Sequence, residues 1–347
     1  MLTEHSRSTQ SRIMKPIDPR AKVYIASHRG MVGSALVRLF RSKGFETILT
    51  RTHSELNLTR QEEVEQFFQK EKPDYVFLAA AKVGGILANR NDPTGFLYEN
   101  IMIASNVIRA AAESNTEKLV FLGSSCIFPK YAEQPLRETS ILTGALEPTN
   151  EAYAIAKIAG LKLTEYYHRQ HGKRFISVMP PNLYGYGDQF HLENSHVIPG
   201  LMRRLHEAKQ SGAPEFTAWG TGTPLREFLF VDDLADACWF LFQNYEEPLF
   251  VNVGSGEETS IRELVHLLAE VIGYAGRILF DPSKPDGTPR KLMDSSRLHQ
   301  LGWQHRTPLR EGLKLTYEWY VKHEASHHDL APALSKKSQF KIDPQNR

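Results

Sequence analysis

Five short apolar runs follow one another through the first half of the chain, each separated from the next by a stretch with helical character. They occupy residues 22–26, 47–50, 75–79, 119–122 and 175–179. Their length and their β-branched residues predict buried strands. Strands that alternate with helices in this way form a parallel sheet with right-handed crossovers. The pattern therefore predicts an α/β protein built on a doubly wound parallel sheet.

Two of the intervening segments carry local helix signals. Thr59 stands three residues before Glu62, which is the spacing of a capping box, and the apolar stretch at 64–68 follows. Residues 104–112 are rich in strong helix formers. We expect one helix capped by Thr59 and another that ends before the fourth strand.

The pattern loosens after residue 181. Residues 197–209 are amphipathic, and the runs at 226–234 and 249–254 still have the character of strands. We expect a smaller second lobe here, with part of the later chain returning to the main sheet.

Composition narrows the class of protein. The 347 residues include 42 Lys and Arg against 40 Asp and Glu, so the charge balance does not indicate a nucleic-acid partner. Two cysteines cannot form a disulfide framework, and no apolar run reaches the length of a membrane span. A cytoplasmic enzyme without a membrane or nucleic-acid partner is the expectation.

The first strand leads into the sequence VYIASHRGMVGSAL, in which Gly30 and Gly33 stand three residues apart before a helix. Backbone N–H groups at such a turn, together with the helix N-terminus, favour the pyrophosphate of a dinucleotide. Ser27 occupies the position of the remaining glycine in a G-x-x-G-x-x-G fingerprint. Its Cβ needs a negative φ, or else it crowds the turn.

The second strand is followed by Arg51 and His53, where an NAD site places a carboxylate against the ribose. Positive groups at this place suit a 2′-phosphate, and Arg29 in the glycine loop adds a further one. We therefore expect NADPH rather than NADH. The alternative is that these cations are only solvated surface residues.

A second group of residues carries candidate chemistry. Tyr153 and Lys157 are four apart on one face of a predicted helix, and Ser124 follows the fourth strand. A tyrosine with a pKa of about 10 is a poor acid–base group at neutral pH. We expect Lys157 to favour its phenolate and Ser124 to hold a substrate oxygen.

Taken in this order, the loop, the serine and the Tyr–Lys pair resemble the extended short-chain dehydrogenase/reductases over residues 22–324. The family acts on nucleotide sugars. Several segments narrow the resemblance to one branch of this family. They are HRGMVGSAL, LAAAKVGGI, GSSCIFPK, LEPTNEAYAIAKIAG, NSHVIPGL, WGTGTPLREFLFVDD and KPDGTPRKLMD. They point to the branch that epimerises GDP-4-keto-6-deoxy-D-mannose at C3 and C5 and then reduces C4 with NADPH, giving GDP-L-fucose. Ser27 and His53 depart from that branch.

This resemblance implies a role for the thiol of Cys126. Cys126 is the base and His196 the acid of the epimerisation, while Ser124 and Tyr153 stabilise the enolate at O4. Tyr153 then protonates O4 during reduction. Without these neighbours a free cysteine is most often a small core residue, and Cys238 keeps that interpretation.

The expected contacts extend beyond the reacting atoms. For the substrate, the resemblance implies Arg204 and Arg226 at the diphosphate, Trp219 at the guanine, Asp286 at a sugar hydroxyl, and Lys291 near the ligand. Asn182 is expected near the nicotinamide. No metal is expected. The full set expected to bind the cofactor is Ser27, His28, Arg29, Gly30, Met31, Val32, Gly33, Arg51, His53, Asn57, Leu58, Leu122, Gly123, Lys157, Asn182, Leu183, Tyr184, Gly185 and His196.

The expected domain organisation follows from the same resemblance. Residues 21–181 form mainly an NADP-binding Rossmann domain and residues 182–324 mainly a substrate-binding lobe. Residues 1–20 and 325–347 are polar tails. The family also implies a homodimer packed through the two long helices, one of which bears Tyr153.

Two other functions stay open at this point. A nucleotide-sugar 4-epimerase or 4,6-dehydratase holds NAD tightly and returns its hydride, and it has no need of Cys126 and His196. A redox-sensing regulator binds NADP without turnover and has no need of Ser124, Tyr153 and Lys157 together.

Overall fold

A computed structural model of the chain describes residues 17–191, 195–284 and 286–325. The tails expected at 1–20 and 325–347 therefore lie largely outside the described residues. Of the first, residues 17–20 are described. Ile17 packs against the core, and the carbonyl of Pro19 accepts a hydrogen bond from Glu46 N at 3.1 Å.

Twelve strands lie in the described residues. In chain order they are β1 Val23–Ala26, β2 Ile48–Leu49, β3 Tyr75–Leu78, β4 Lys118–Leu122, β5 Arg174–Met179, β6 Asn182–Tyr184, β7 Glu215–Trp219, β8 Leu225–Phe230, β9 Val251–Asn252, β10 Glu258–Ser260, β11 Arg277–Asp281 and β12 Arg290–Lys291.

Ten α-helices connect these strands in the described ranges. They are α1 Met31–Ser42, α2 Gln61–Glu71, α3 Ile86–Asn91, α4 Pro93–Glu113, α5 Glu151–His171, α6 Val197–Gln210, α7 Val231–Asn244, α8 Ile261–Ile272, α9 Ser296–Gln300 and α10 Leu309–Tyr320. The described residues contain no helix long and apolar enough to cross a membrane.

The central sheet has the order β2-β1-β3-β4-β5-β9, and its neighbouring strands are all parallel. This confirms the predicted α/β fold and its five strands. The order reverses at β1, whose neighbours are β2 and β3. In open parallel sheets, ligands bind at the carboxyl ends of the strands beside such a reversal.

Helices cover both faces of this sheet. On one face α1 and α7 bury residues such as Leu36, Phe40 and Leu234. On the other face α2, α4 and α5 bury residues such as Phe68 and Val107. The strands between the two cores are almost wholly buried, which is why their sequences are continuous apolar runs.

The predicted capping box is wrong. The N-cap of α2 is Arg60, which makes no side-chain capping bond. The Thr59 hydroxyl instead donates to Asn57 Oδ1 at 2.8 Å, so Thr59 belongs to the turn before the helix. Serine and threonine often form such local turns, and their spacing alone does not separate a turn from a cap.

The second lobe has sheets of its own. Strands β10, β8 and β12 form one sheet with β6 beside β8, and β11 pairs with β7. The predicted amphipathic segment is α6, which packs with α8 and α10 around a third core that includes Met202, Leu264 and Leu313. Strand β9 pairs with β5 in the central sheet, whereas β8 does not join that sheet. The boundary between residues 181 and 182 stays a prediction.

Candidate active site

The glycine loop lies between β1 and α1, beside the reversal of strand order. Gly30 is the N-cap of α1, and its N–H donates to the Ser27 carbonyl at 3.0 Å. A Cβ added at Gly33 would lie 2.0 Å from that carbonyl oxygen. Only glycine allows α1 to approach the turn this closely. The free N–H groups of the first helical turn therefore face the carboxyl edge of the sheet.

Ser27 adopts the backbone conformation that favours glycine. Its φ is +71°, so the negative φ that its Cβ needs is not available at this turn. The side chain lies over Gly30, because a Cβ built at Gly30 would be 3.1 Å from Ser27 Oγ. The left-handed region costs an L-residue about 1–2 kcal/mol. The departure from the glycine fingerprint therefore leaves a local strain at the loop.

The cations expected at the ribose, Arg51 and Arg29, lie among carboxylates of the protein. Arg51 donates to Glu71 at 2.7 Å and to the Thr50 carbonyl at 2.8 Å. Arg51 and Arg29 both act on Glu55, helping to lower the pKa of that carboxyl after the hydrogen bonds from Thr52. Arg29, in the loop after β1, and Arg51, after β2, thus both act on the carboxyl of Glu55.

Two further residues of the expected cofactor set, Asn57 and Leu58, are placed by their hydrogen bonds. His53 is exposed. Asn57 Oδ1 accepts from Thr59, and the Leu58 carbonyl accepts from the buried Asn106 at 2.9 Å. These bonds fix the turn before α2 without using a ligand.

The loop after β6 reaches back to the glycine loop. A Cβ at Gly187 would lie 3.7 Å from Met31 Cα, so the two loops are in contact. Asn182 donates to the Glu227 carbonyl at 3.2 Å. The Tyr184 side chain is buried in the third core, where it leaves only the backbone of that residue for a cofactor.

Sequence reasoning assigned no site residue to the segment after β3, although it lies at the same edge of the sheet. Asn100 of α4 accepts from Lys82 N at 2.8 Å and donates to the Lys82 carbonyl at 3.0 Å. Phe96 of the same helix contacts the Tyr153 ring, with centroids 6.3 Å apart. Residues 79–81 are small and directly follow a buried strand, and this pattern could have identified the segment as part of the site.

The catalytic candidates meet where β4 ends. Lys157 Nζ donates to the Leu122 carbonyl at 2.7 Å and lies 5.6 Å from the centroid of the Tyr153 ring. The Ser124 side chain accepts the N–H of Cys126 at 3.4 Å and caps the short 3-10 turn Ser125–Ile127. The structure thus brings four of the five predicted catalytic residues to one place.

Burial governs the protonation of this cluster. Desolvation raises the pKa of Tyr153, and a charge on Cys126 would raise it further. This direction is opposite to the phenolate expected from the Tyr–Lys spacing. Desolvation also lowers the pKa of Lys157 to about 8. The phenol is therefore protonated in the ligand-free protein, which is the state needed to donate a proton.

The thiol of Cys126 lies under the same influence. It is 6% exposed, and desolvation raises its pKa. Lys291, the Ser124 hydroxyl and Lys157 oppose that rise, in this order. Cys238 is wholly buried among apolar residues, where desolvation raises its pKa to about 12. Only Cys126 has cations that favour its thiolate.

His196 is placed at the entrance to the second lobe. It is the N-cap of α6, its side chain is exposed, and desolvation by the surrounding protein lowers its pKa. Neutral imidazole is thus the resting form. Within the described ranges no hydrogen bond or ion pair joins it to Cys126, so the pairing of these two residues as acid and base stays a prediction.

Two aromatic rings fix the cation of α6. The Arg204 guanidinium lies 5.0 Å from the centroid of Phe216 and 5.6 Å from that of Trp219. It donates to the Thr217 carbonyl at 2.7 Å. Trp219 itself is 64% exposed, so one face of this ring is open to a ligand.

The remaining predicted substrate residues lie on or beside β8 and β12. Arg226 and Lys291 are paired across the two strands. Both carboxylate oxygens of Asp286 are already used, because they accept from the N–H and hydroxyl of Thr221 at 3.0 and 2.7 Å. Asp286 therefore orders the turn at Gly220 and Thr221. Across the described part of the chain, no group of three His, Cys, Asp or Glu residues could hold a metal.

Comparison with known proteins identifies the class. Residues 23–254 match the NAD dependent epimerase/dehydratase family. The chain belongs to this family.

Named relatives show which members of this family the chain is similar to. The chain is 58% identical to GDP-L-fucose synthase 1 of Arabidopsis thaliana over 312 residues, which are 90% of this chain and 97% of the relative. It is 53% identical to GDP-L-fucose synthase of Escherichia coli (strain K12), covering 88% of this chain and 98% of the relative. The crystal structure of a GDP-L-fucose synthetase from Naegleria fowleri bound to NADP is 27% identical, with a TM-score of 0.80 and coverage of 87% and 94%.

The strain at Ser27 predicts that a glycine at this position makes the protein more stable. Ser27→Gly should raise the free energy of unfolding by about 1 kcal/mol, because glycine adopts the positive φ without cost. NADPH should bind the variant at least as tightly. Urea unfolding and a fluorescence titration measure the two effects.

Lys72 provides a matched control for this variant. It also has a positive φ, of 49°, at the C-cap of α2. Lys72→Gly should gain stability without any change in NADPH affinity. Loss of stability in Ser27→Gly would contradict the assigned strain.

The lowered pKa of Lys157 predicts that this buried residue destabilises the folded protein in a pH-dependent way. The unfolded chain binds the proton up to its pKa of 10.5, whereas the folded protein loses it near 8. Stability should therefore rise with pH across this window. Lys157→Met should be more stable than the parent at pH 7, by about 1–3 kcal/mol, and should lose that advantage above the window. Urea unfolding across this pH range measures it, and equal stability at pH 7 would contradict the account.

Proposed function

We propose that this protein converts GDP-4-keto-6-deoxy-D-mannose to GDP-L-fucose, as an epimerase at C3 and C5 and an NADPH-dependent reductase at C4. One observation carries the proposal. Ser124, Cys126, Tyr153 and Lys157 meet at the carboxyl end of β4 in a chain 58% identical to a GDP-L-fucose synthase. A 4-epimerase or dehydratase needs the serine, phenol and ammonium but has no use for the thiol.

The glycine loop fits a dinucleotide. A Cβ at Gly33 would fill the close approach between α1 and the turn, and His28 Nδ1 is buried without a hydrogen-bond partner among the described residues. Arg29 lies in the glycine loop and Arg51 follows β2, and both act on Glu55, so both are cations suited to a 2′-phosphate here. These features support NADPH, which supplies the hydride for reduction at C4.

Epimerisation begins at the carbons beside the C4 ketone. The thiolate of Cys126 removes the proton of C3 or C5, so an S–H bond forms and the C–H electron pair moves toward O4. The Ser124 hydroxyl and the Tyr153 phenol donate hydrogen bonds to that oxygen. His196, neutral at rest, must first take a proton from solvent. As imidazolium it then gives that proton to the opposite face of the carbon, which inverts the centre.

Reduction uses the same phenol as an acid. Tyr153 gives its proton to O4 as hydride reaches C4, and Lys157 stabilises the phenolate that remains. The Leu122 carbonyl holds the ammonium beside the ring. A protonated Tyr153 in the free enzyme is consistent with this role.

The second lobe supplies the groups for the nucleotide. Arg204, Arg226 and Lys291 are cations suited to a diphosphate. The exposed face of Trp219 suits a guanine ring. The Asp286 carboxylate contributes a sugar contact only if its bonds to Thr221 are shared.

We further propose a cytoplasmic homodimer. The two cysteines are free, as expected in a reducing compartment. The long helices α4 and α5 expose Tyr98, Ile155 and Tyr166, by 61%, 43% and 55%, and these side chains would be covered by a second copy. Sedimentation of the parent and of Tyr166→Asp tests the dimer.

The proton carriers give the sharpest test of the chemistry. Cys126→Ser and His196→Asn should each slow solvent-deuterium incorporation at C3 and C5 by about 100-fold or more. Incubation with the keto sugar and NADPH in deuterated water, followed by NMR of the product, measures both positions. Normal exchange of both protons in Cys126→Ala would show that another group is the base.

The reductase step is predicted to separate from exchange. Tyr153→Phe should slow C3 and C5 exchange less than reduction, because Ser124 still donates to O4, whereas NADPH oxidation should fall by about 100-fold or more. Each turnover of the parent enzyme should consume one NADPH. A cofactor that stays bound and is regenerated would instead indicate the epimerase or dehydratase reaction.

A further inference from the structure

Glu227 on β8 carries a carboxylate that is buried without a cation. The residue is 0% exposed, and no ion pair reaches it within residues 17–191, 195–284 and 286–325. Its oxygens accept backbone N–H groups instead, from Gly256 to Oε1 at 2.7 Å and from Met293 to Oε2 at 2.9 Å. Desolvation raises the pKa of this carboxyl to about 7, and these N–H groups oppose the rise. A charge buried in this way costs stability, so its bonds call for a purpose other than stability.

The partners of Glu227 lie on three segments that pass between the central sheet and the second lobe. Gly256 follows β9 of the central sheet, and Met293 follows β12. The chain after Met293 enters α9, whose Leu298 belongs to a core of the central sheet. The backbone carbonyl of Glu227 accepts a hydrogen bond from Asn182, which directly follows β5, at 3.2 Å. One residue therefore ties together three crossings between the two parts of the molecule.

A glycine makes room for this carboxylate. A Cβ added at Gly254 would lie 2.2 Å from Glu227 Oε1 and 2.8 Å from the hydroxyl oxygen of Ser295. Gly254 does not have a positive φ. Glycine is therefore needed here for space alone, because the chain after β9 passes directly against the carboxylate.

The same bonds connect the two groups of residues expected to bind ligands. Arg226 precedes Glu227 on β8 and pairs with Lys291 of β12, two residues before Met293. Both cations are expected at the substrate, whereas Asn182 is expected near the nicotinamide. Glu227 thus joins the strands that carry the substrate cations to a residue on the cofactor side.

We propose that Glu227 is a positioning residue for the reduction step. Its carboxylate holds β8 and β12 in place against the chain that leaves the cofactor-binding sheet, and this sets the distance between C4 of the sugar and the nicotinamide. Glu227 acts through these segments and not on the reacting atoms. The kinetic part of this inference rests on the proposed function.

Glu227→Gln tests the proposal with little change in size. Glutamine has one acceptor oxygen, so its NH₂ group must face one of the two backbone N–H groups. It also removes the buried charge, so the variant is expected to fold. The amide hydrogens of Gly256 or Met293 should exchange with solvent about ten-fold faster or more, as measured by NMR or mass spectrometry.

The kinetic constants of Glu227→Gln should separate. The kcat of NADPH oxidation should fall by about 10- to 100-fold, because a small displacement of the bound sugar is enough to impair hydride transfer. NADPH and GDP, each titrated alone, should keep their affinities within about two-fold, since each is expected to bind mainly within one lobe. A general loss of structure would not produce this separation.

Asp233→Asn is the matched control. Asp233 is also buried and accepts two backbone N–H groups, from Arg306 at 3.2 Å and Thr307 at 3.0 Å, but it lies on α7. Its loss should lower stability and leave kcat unchanged. Gly254→Ala places a Cβ against Glu227 Oε1 and should reproduce the separation seen in Glu227→Gln, also if that variant fails to fold.

The outcomes distinguish this inference from the proposed function. Unchanged amide exchange at Gly256 and Met293 in the variants, or a loss of NADPH affinity as large as the loss of kcat, would overturn the role of Glu227. Exchange and NADPH binding need no keto sugar. A parent protein that consumes no NADPH with GDP-4-keto-6-deoxy-D-mannose would contradict the proposed function, while faster exchange in the variants would still support the hold that Glu227 has on these segments.

Discussion

The site depends on one hydrogen bond, from Lys157 Nζ to the Leu122 carbonyl. It joins α5 to the last residue of β4, and so fixes the distance between the phenol carried by the helix and the thiol carried by the turn after the strand. The ammonium is buried, which lowers its pKa to about 8. The buried ammonium lowers the stability of the fold, but it is the group that the chemistry at Tyr153 needs.

The same burial explains how one pocket can serve two reactions. Desolvation favours the neutral phenol at Tyr153, which is the form that protonates O4, and it disfavours the thiolate at Cys126, which is the form that removes a proton. The acid therefore needs no assistance at rest, whereas the base needs positive charge nearby.

Much of this arrangement could be predicted from the sequence. The apolar runs gave the central sheet, and the Tyr-x-x-x-Lys spacing gave a shared helix face, because both follow from local periodicity. The cap at Thr59 was wrong because a turn and a cap use the same residues. The pairing of Lys291 with Arg226, and the direction of the Tyr153 pKa, depend on strand register and burial, which no local pattern contains.

The central claim is that Cys126 and His196 act on opposite faces of one sugar ring. A crystal structure of Tyr153→Phe with NADP⁺ and GDP-4-keto-6-deoxy-D-mannose tests it most directly, since the oxidised cofactor has no hydride to give and the ketone is preserved. The account predicts the sulfur of Cys126 on one side of C3 and C5, the imidazole of His196 on the other, and O4 within hydrogen-bond distance of Ser124. A thiol and an imidazole directed into separate cavities would contradict it.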